Sequence, residues 1–189
     1  MHIMGMLMDV FEAIERRRSV RSYLPDPIPD GILRKVLEAG RLAPSASNRM
    51  PWRFIVVKDP KNRREIGDSG TYGRFISESP VVIVGCGDKS SSWHIVDTSI
   101  ALQNMVLAAT GEGIGTCWIG SFDEGKVKEL LKIPDNFSVI ALIAMGFPKE
   151  KLDLQRLMLK TVRKKKIEEI ANSEEFDKPL SLAKADGSG

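Results

Sequence analysis

Apolar residues follow helical spacing in some segments of the chain and form continuous runs in others. Acidic residues precede most of the segments with helical spacing and can cap the helices that these segments predict. The predicted starts are Asp9, Asp30, Asp59 and Asp123. The continuous runs predict strands at residues 54–57, 81–85, 116–119 and 139–145. Helices and strands therefore alternate along most of the chain.

Residues 97–110 form a predicted helix that is apolar on almost every side. A helix of this kind is buried in a core or lies across a subunit interface. Residues 163–171 predict a last helix, basic and then acidic, and the tail 172–189 is polar. No linker or repeat divides the sequence, so we expect residues 1–189 to form one domain.

Composition excludes several classes of protein. The 189 residues are 42% hydrophobic and 28% charged, with a net charge of only +3, as in an ordinary globular protein. The chain lacks the basic excess of a nucleic-acid coat protein. Cys86 and Cys117 are far apart and predict reduced, buried thiols. With no signal peptide and no membrane-spanning run in the sequence, we expect a cytoplasmic protein with no membrane partner.

Four arginines lie within the six residues from Arg16 to Arg21, where a helix is predicted to end and a proline-rich stretch begins. Guanidinium groups bind phosphate well because they are planar, permanently charged and bidentate. Basic residues are also common at helix C-termini, where they interact with the helix dipole. The cluster is therefore either an anion site or a solvated helix end.

Other phosphate-binding and catalytic motifs are absent from the sequence. It contains no HExxH, no GxSxG and no GxxxxGK[ST] pattern. The glycines at 111, 113 and 115 resemble a dinucleotide motif, but Trp118 replaces the last glycine. They also follow a helix and precede a strand, the reverse of the order that motif needs. We expect them to end the helix instead.

Three further stretches suit a planar, polar ligand, and each has a plainer interpretation. Residues 43–48 have short polar side chains that could contact a ligand, and the alternative is that they form an ordinary turn. Residues 116–120 place Trp118 next to a glycine, where it could contact a planar ligand, and the alternative is a tryptophan of the core. Residues 163–166 are basic at a predicted helix start, where a bound anion would stabilise them, and the alternative is that solvent alone surrounds them.

Taken together, the sequence resembles the nitroreductase family of FMN-dependent oxidoreductases from about residue 10 to residue 170. The resemblance rests on motifs in the family's order: RRSVR at 17–21, APSASN at 43–48 with PW at 51–52, ESP at 78–80, GIGTCWIG at 113–120, and GFP at 146–148. It implies an α+β fold with a central, mostly antiparallel sheet flanked by helices. It also implies an intertwined homodimer with FMN at the interface and the C-terminal tail extended over the partner.

The resemblance also implies roles for particular residues, none of them a catalytic acid, base or nucleophile. Four match the family's ligands of the FMN phosphate, ribityl chain and pyrimidine edge: Arg17, Arg18, Ser19 and Arg21. Three match the loop along the flavin of the partner subunit: Pro44, Ser45 and Asn48. Three match the segment beside the ring: Trp118, Ile119 and Gly120. Lys164 matches a C-terminal phosphate ligand that is usually arginine, and Met50 stands where the family usually has glutamine.

The implied activity is a ping-pong oxidoreductase that uses NAD(P)H to reduce nitroaromatics, quinones or similar small acceptors. Three alternatives stay open at this point. The first is an FMN-dependent dehalogenase or flavin-modifying enzyme of the same family, and the second is a non-catalytic flavin-binding protein. The third takes the two basic runs as a nucleic-acid surface, which the small net charge disfavours.

Overall fold

A four-stranded antiparallel sheet forms the centre of the larger part of the chain. The structure, a computed structural model, describes residues 8–70, 73–149 and 164–181. The strands are β1 (Trp52–Val57), β2 (Val81–Asp88), β3 (Gly115–Ile119) and β4 (Phe137–Gly146), in the spatial order β1-β2-β4-β3. All three pairings are antiparallel. The predicted α+β class with an antiparallel sheet is confirmed.

Six α-helices of the described residues surround this sheet. They are α1 (Val10–Arg16), α2 (Asp30–Arg41), α3 (Pro60–Asp68), α4 (Gly73–Glu78), α5 (His94–Gly111) and α6 (Glu124–Leu131). The predicted caps Asp9, Asp59 and Asp123 each accept a backbone N–H of the first turn that follows. Gly113 has a φ of 75° just beyond α5, which confirms that glycine ends this helix.

The alternation of strand side chains divides the core into two layers. Val81 and Ile83 of β2 face one way and pack with residues of α2 and α5, among them Leu102. Val82 and Val84 face the opposite way, into a cluster that includes Ile66 of α3 and Val127 of α6. Because both faces of β2 are covered, its apolar run is continuous rather than alternating.

Several predicted element boundaries are wrong. Asp30 is the first residue of α2 and not its cap, and its carboxylate accepts a bond from Lys58 Nζ at 2.6 Å instead. The helix predicted over 163–171 is wrong in its described part, where only a short 3-10 helix forms, Ile167–Glu169. Lys164 to Lys166 carry adjacent positive charges and precede it without helical structure. Helix α4 was not among the predicted elements, because its short sequence carries no clear apolar period.

The chain divides into two compact units, Met1–Glu150 and Lys151–Gly189. The first contains the sheet and the six helices. In the second, the described residues 164–181 contain the short 3-10 helix and one antiparallel bridge between Asn172 and Pro179. The prediction that residues 1–189 form one domain stays a prediction, as does the placement of the tail over a partner, since residues 182–189 lie outside the described part.

Candidate functional site

The arginine-rich segment lies beside the start of β3, at the edge of the sheet. Ser19 forms a parallel bridge with Thr116, and Val20 N donates a hydrogen bond to Thr116 O at 2.8 Å. A Cβ added to Gly115 would lie 2.8 Å from Val20 Cγ2, so only glycine allows this approach. The segment is therefore attached to the sheet as an extra, short strand.

Tyr23 fixes the far end of the same segment. It bridges to Pro148 just after β4, and its hydroxyl donates to Val20 O at 2.5 Å and to Ala144 O at 3.2 Å. Burial raises the pKa of Tyr23 above its ordinary value, with a smaller contribution from Cys117, so the hydroxyl stays a donor. Residues 19–23 thus have little freedom relative to the sheet.

Three of the predicted anion ligands converge around Cys117 on β3. The thiol is 2% exposed, and burial raises its pKa, while Arg21, Ser19 and Arg17 act in the opposite direction. The bridge between Ser19 and Thr116 places this segment beside Cys117, the next residue of β3. The predicted buried, unpaired state of both cysteines is confirmed.

Apart from Arg16, the arginines of this cluster form no ion pair with a carboxylate within residues 8–70 and 73–149. Arg16 pairs with Glu12, Arg41 with Glu38, Lys35 with Glu112 and Lys58 with Asp30. Neither Arg17 nor Arg21 forms such a pair there. Two uncompensated guanidinium groups beside a hydroxyl form a donor set that fits a phosphate. FMN carries such a group, so the residues present fit this cofactor.

Residues 118–120, at the end of β3, differ in what they expose. Trp118 is half-buried and packs against the core layer of α2 and α5. Much of its ring therefore belongs to the core. Ile119 is 4% exposed, which leaves its backbone as the part available to a ligand. Gly120 is exposed, and a Cβ there would contact nothing within 4 Å. The strand therefore ends in open space.

The second predicted ligand segment, which we name the 44–50 loop (residues 44–50), lies elsewhere. It contains a short 3-10 helix, Ala46–Asn48, and Ser45 Oγ accepts a hydrogen bond from Met50 N at 2.9 Å. Ala46 N lies 3.2 Å from each carboxylate oxygen of Asp97, on the first turn of α5. The loop is closed on itself and tied to α5.

Within this unit the 44–50 loop and the arginine cluster lie at opposite ends of the sheet. Thr116 pairs with Met145, which pairs in turn with Val81 at the start of β2. The loop leads into Trp52, which pairs with Gly87 near the end of β2. Six residues separate the two positions along β2, or about 20 Å at the rise of a strand. One chain therefore does not bring both predicted halves of the site together.

Lys164 is the first described residue of the second unit and is exposed. Its role as a phosphate ligand stays a prediction. Arg163, the neighbour that begins the same basic run, lies outside the described residues.

A separate cavity of about 390 Å³ opens near the start of β2, between the proline-rich stretch and helices α3 and α4. Lys58 and Arg63 line it, but Lys58 pairs with Asp30, and Arg63 donates to the carbonyl groups of Ser77 and Ser79. Its cations are thus already engaged, unlike those beside Cys117.

Two further observations apply to residues 8–70, 73–149 and 164–181 alone. No group of three or more His, Cys, Asp or Glu side chains is placed to hold a metal ion there. No helix among them has both the length and the apolar character needed to cross a membrane.

The fold and the arginine cluster fit an oxidoreductase that binds a phosphate-bearing cofactor, and comparison with known proteins gives the family. Residues 14–72 and 69–147 match the model of the nitroreductase family. A protein of Archaeoglobus fulgidus, provisionally named NADH dehydrogenase/NAD(P)H nitroreductase, is 35% identical over 154 residues, covering 77% of this chain and 88% of its own length. The chain belongs to the nitroreductase family.

Two other relatives show the range of names in this family. The solved structure of an FMN-dependent nitroreductase from Clostridium difficile R20291 is 30% identical, with a TM-score of 0.70, over 82% of this chain and 98% of that one. A 5,6-dimethylbenzimidazole synthase of Rhodospirillum rubrum is 26% identical over 75% of this chain and 82% of its own length. The predictions of an enzyme, of an oxidoreductase and of FMN as its cofactor are confirmed.

Sequence reasoning missed two residues of this arrangement, Thr116 and Asp97. Thr116 receives the arginine-rich segment through its backbone, which no side-chain pattern reports. Asp97 marked the predicted start of a helix, although α5 begins at His94. An acidic residue at the start of an apolar helical stretch was the one available signal, and it did not indicate which segment the carboxylate contacts.

Proposed function

We propose that this protein is a homodimeric oxidoreductase that takes electrons from NAD(P)H and delivers them to nitroaromatic, quinone or similar small acceptors. FMN, when bound, supplies the redox chemistry, and the protein supplies binding, orientation and charge. The observation that carries this proposal is a pair of guanidinium groups, Arg17 and Arg21, which form no ion pair within residues 8–70 and 73–149 and flank Ser19 beside the start of β3.

The residues of this cluster bind different parts of the FMN. Arg17 and Ser19 bind the FMN phosphate through charge-assisted hydrogen bonds, with Arg18 nearby and Lys164 as a further candidate. Arg21 lies beside the pyrimidine edge of the flavin, where a fixed cation stabilises the negative charge of the reduced form. The backbone of residues 118–120 lies along the ring, and Gly120 leaves room for it.

The flavin site is completed by a second copy of the chain. The 44–50 loop lies about 20 Å along the sheet from the arginine cluster of its own chain, so Pro44, Ser45 and Asn48 serve the partner's flavin. Donor and acceptor then bind in turn at one open face of the ring. No side chain of this chain needs to act as an acid, a base or a nucleophile in such a cycle. A cytoplasmic location stays a prediction.

The experiment that tests this function begins with the purified protein. We expect a yellow protein that releases FMN, identified by chromatography, and that is reduced under anaerobic conditions by NADH or NADPH. Reoxidation by a nitroaromatic and by a quinone is then followed by flavin absorbance. A protein that stays colourless after incubation with FMN would overturn the proposal, and bound FMN that neither nucleotide reduces would assign the chain to another branch of the family.

A second candidate is a flavin-modifying enzyme, because the chain shares 26% identity with a 5,6-dimethylbenzimidazole synthase. The same preparation distinguishes the two. An oxidoreductase recovers its FMN unchanged after many turnovers, whereas a flavin-modifying enzyme consumes reduced FMN in the presence of oxygen. Loss of FMN in step with turnover would favour the second candidate.

A further inference from the structure

Asp97 is a carboxylate buried on the first turn of α5. It is 3% exposed, although Asp is rarely buried without strong compensation. Both of its oxygens lie 3.2 Å from the same backbone donor, Ala46 N. The positive end of the α5 dipole also favours a negative charge at this turn. The carboxylate thus holds one particular amide of the 44–50 loop.

The 44–50 loop has an unusual backbone. Ser47, Asn48 and Met50 have φ values of 52°, 53° and 48°, in the left-handed region that residues with a Cβ rarely adopt. Such conformations persist only where surrounding contacts over-determine them. Ser45 closes the loop through Met50 N, but this bond lies within the loop and does not attach it to the rest of the protein.

The two ends of the loop are attached independently of Asp97. Ala43 and Trp52 pack with Ala101 in a small buried cluster. Ala101 lies one helical turn beyond Asp97, so the two residues share a face of α5. The apolar contacts fix where the loop starts and ends, and the carboxylate contacts it between them. Removal of the carboxylate should therefore loosen the loop without detaching it.

We propose that Asp97 is a positioning residue that holds the 44–50 loop in its flavin-binding conformation before the flavin arrives. The proposal rests on the proposed function, because it assigns this loop to the flavin site. A loop ordered in advance loses less conformational entropy on binding, and affinity rises accordingly. Asp97 itself does not contact the flavin and acts only through the backbone of Ala46.

The first test uses the FMN-free protein and does not depend on flavin binding. Arg49 is exposed in the loop and offers trypsin a cleavage site, and native-state cleavage reports the open population of a segment. We expect Asp97→Asn, which keeps the size but removes the charge, to speed cleavage after Arg49 by about 10-fold or more. Asp123→Asn is the matched control, because Asp123 also accepts a backbone N–H, in α6.

The fragments are identified by mass spectrometry, so cleavage after Arg49 is separated from cleavage elsewhere. Unchanged cleavage after Arg49 in folded Asp97→Asn overturns the proposal, as does an equal rise at Arg49 in Asp123→Asn. If Asp97→Asn does not fold, Ala46→Pro provides the same test, because it removes the donor and leaves the carboxylate. Ser45 has φ −146° and ψ 156°, a conformation that a following proline accepts.

The second test measures FMN affinity in a double-mutant cycle. We expect Asp97→Asn and Ala46→Pro each to weaken FMN binding by about 10-fold, and the double variant to be no weaker than the worse single one, since both remove the same contact. Additive losses overturn the proposal, and so does unchanged FMN affinity in a variant whose loop is cleaved faster. If the unaltered protein binds no FMN, the proposed function fails, whereas the cleavage test still decides whether Asp97 holds the loop.

Discussion

At the scale of single residues, neighbouring arginines of the same cluster differ in their partners. Arg16 forms an ion pair with Glu12 one turn earlier on α1 and is largely exposed. Arg17 ends the helix, is half-buried and lies close enough to Cys117 to affect its pKa. An anion would therefore replace water at Arg17, whereas at Arg16 it would compete with a carboxylate. The difference between the two gives a test with an internal control.

Arg17→Ala should weaken FMN binding by about 10- to 150-fold. A hydrogen bond to a charged group contributes about 1.5–3 kcal/mol, which converts to that range of affinity. Titration of the FMN-free protein, followed by flavin fluorescence, measures the dissociation constant. Arg16→Ala is the control and should leave the constant unchanged. Equal affinities for Arg17→Ala and the unaltered protein would remove Arg17 from the phosphate site.

Sequence patterns predict the site residues that lie close together along the chain, but not the contacts between segments far apart in sequence. The arginine cluster is local, because its members lie within six residues and one backbone joint orients them. Its attachment to Thr116 and the attachment of Ala46 to Asp97 join segments far apart in sequence. Such contacts depend on how the elements pack, and a pattern along one segment does not contain that information.

At the scale of elements, pattern predicts the buried strands and most of the helices but not where they end. Strand β1 extends back to Trp52 because pairing with Gly87 continues there, although Trp52 and Arg53 precede the apolar run. The stretch 163–171 was assigned from its charges, and charge alone does not make a helix without an apolar face to bury. Only Ile167–Glu169 of its described residues forms a helical turn, a 3-10 turn.

Helices α1 and α5 pack together, and both leave apolar side chains uncovered in the single chain. Phe11 of α1 is 77% exposed and Ile95 of α5 is 57% exposed. The other exposed apolar residues on these two helices are Val10, Ile14, Val96 and Ile100. An apolar surface of this kind on neighbouring helices is typical of an interface with another protein, and we propose that a second copy of the chain covers it. The helix over 97–110 was expected to be buried in a core or to lie across a subunit interface; its core burial is observed at Ala101 and Leu102, and a subunit contact stays a prediction.

Phe11→Glu should shift the protein from dimer to monomer. Burial of a charge without a partner in an apolar interface costs several kcal/mol, and this cost would weaken the proposed dimer. Light scattering coupled to gel filtration measures the mass. The control is Arg64→Glu, which adds an acidic residue on the exposed surface of α3 and should leave the mass unchanged. A monomeric mass for the unaltered protein would contradict the proposed dimer directly.

At the scale of the whole molecule, the sheet separates the two parts of the proposed flavin site. The arginine cluster lies at the end of the sheet where β3 begins, and the 44–50 loop lies at the end where β1 begins. Helix α5 spans the same distance, with Asp97 near its first turn and Gly113 just beyond its last. A single flavin that contacts both parts must therefore lie between two copies of the chain.

Mixed dimers test this arrangement. One copy carries Arg17→Ala and the other carries Ser45→Ala with Asn48→Ala, and different affinity tags on the two copies allow only the mixed dimer to be purified. If each site combines the arginine cluster of one chain with the loop of the other, both defects fall in one site and the second site is intact. We therefore expect each mixed dimer to bind one FMN with the affinity of the unaltered protein, although both homodimers of variants bind it more weakly. Were each site built within one chain, every site in the mixed dimer would carry a defect and no binding of normal affinity would return.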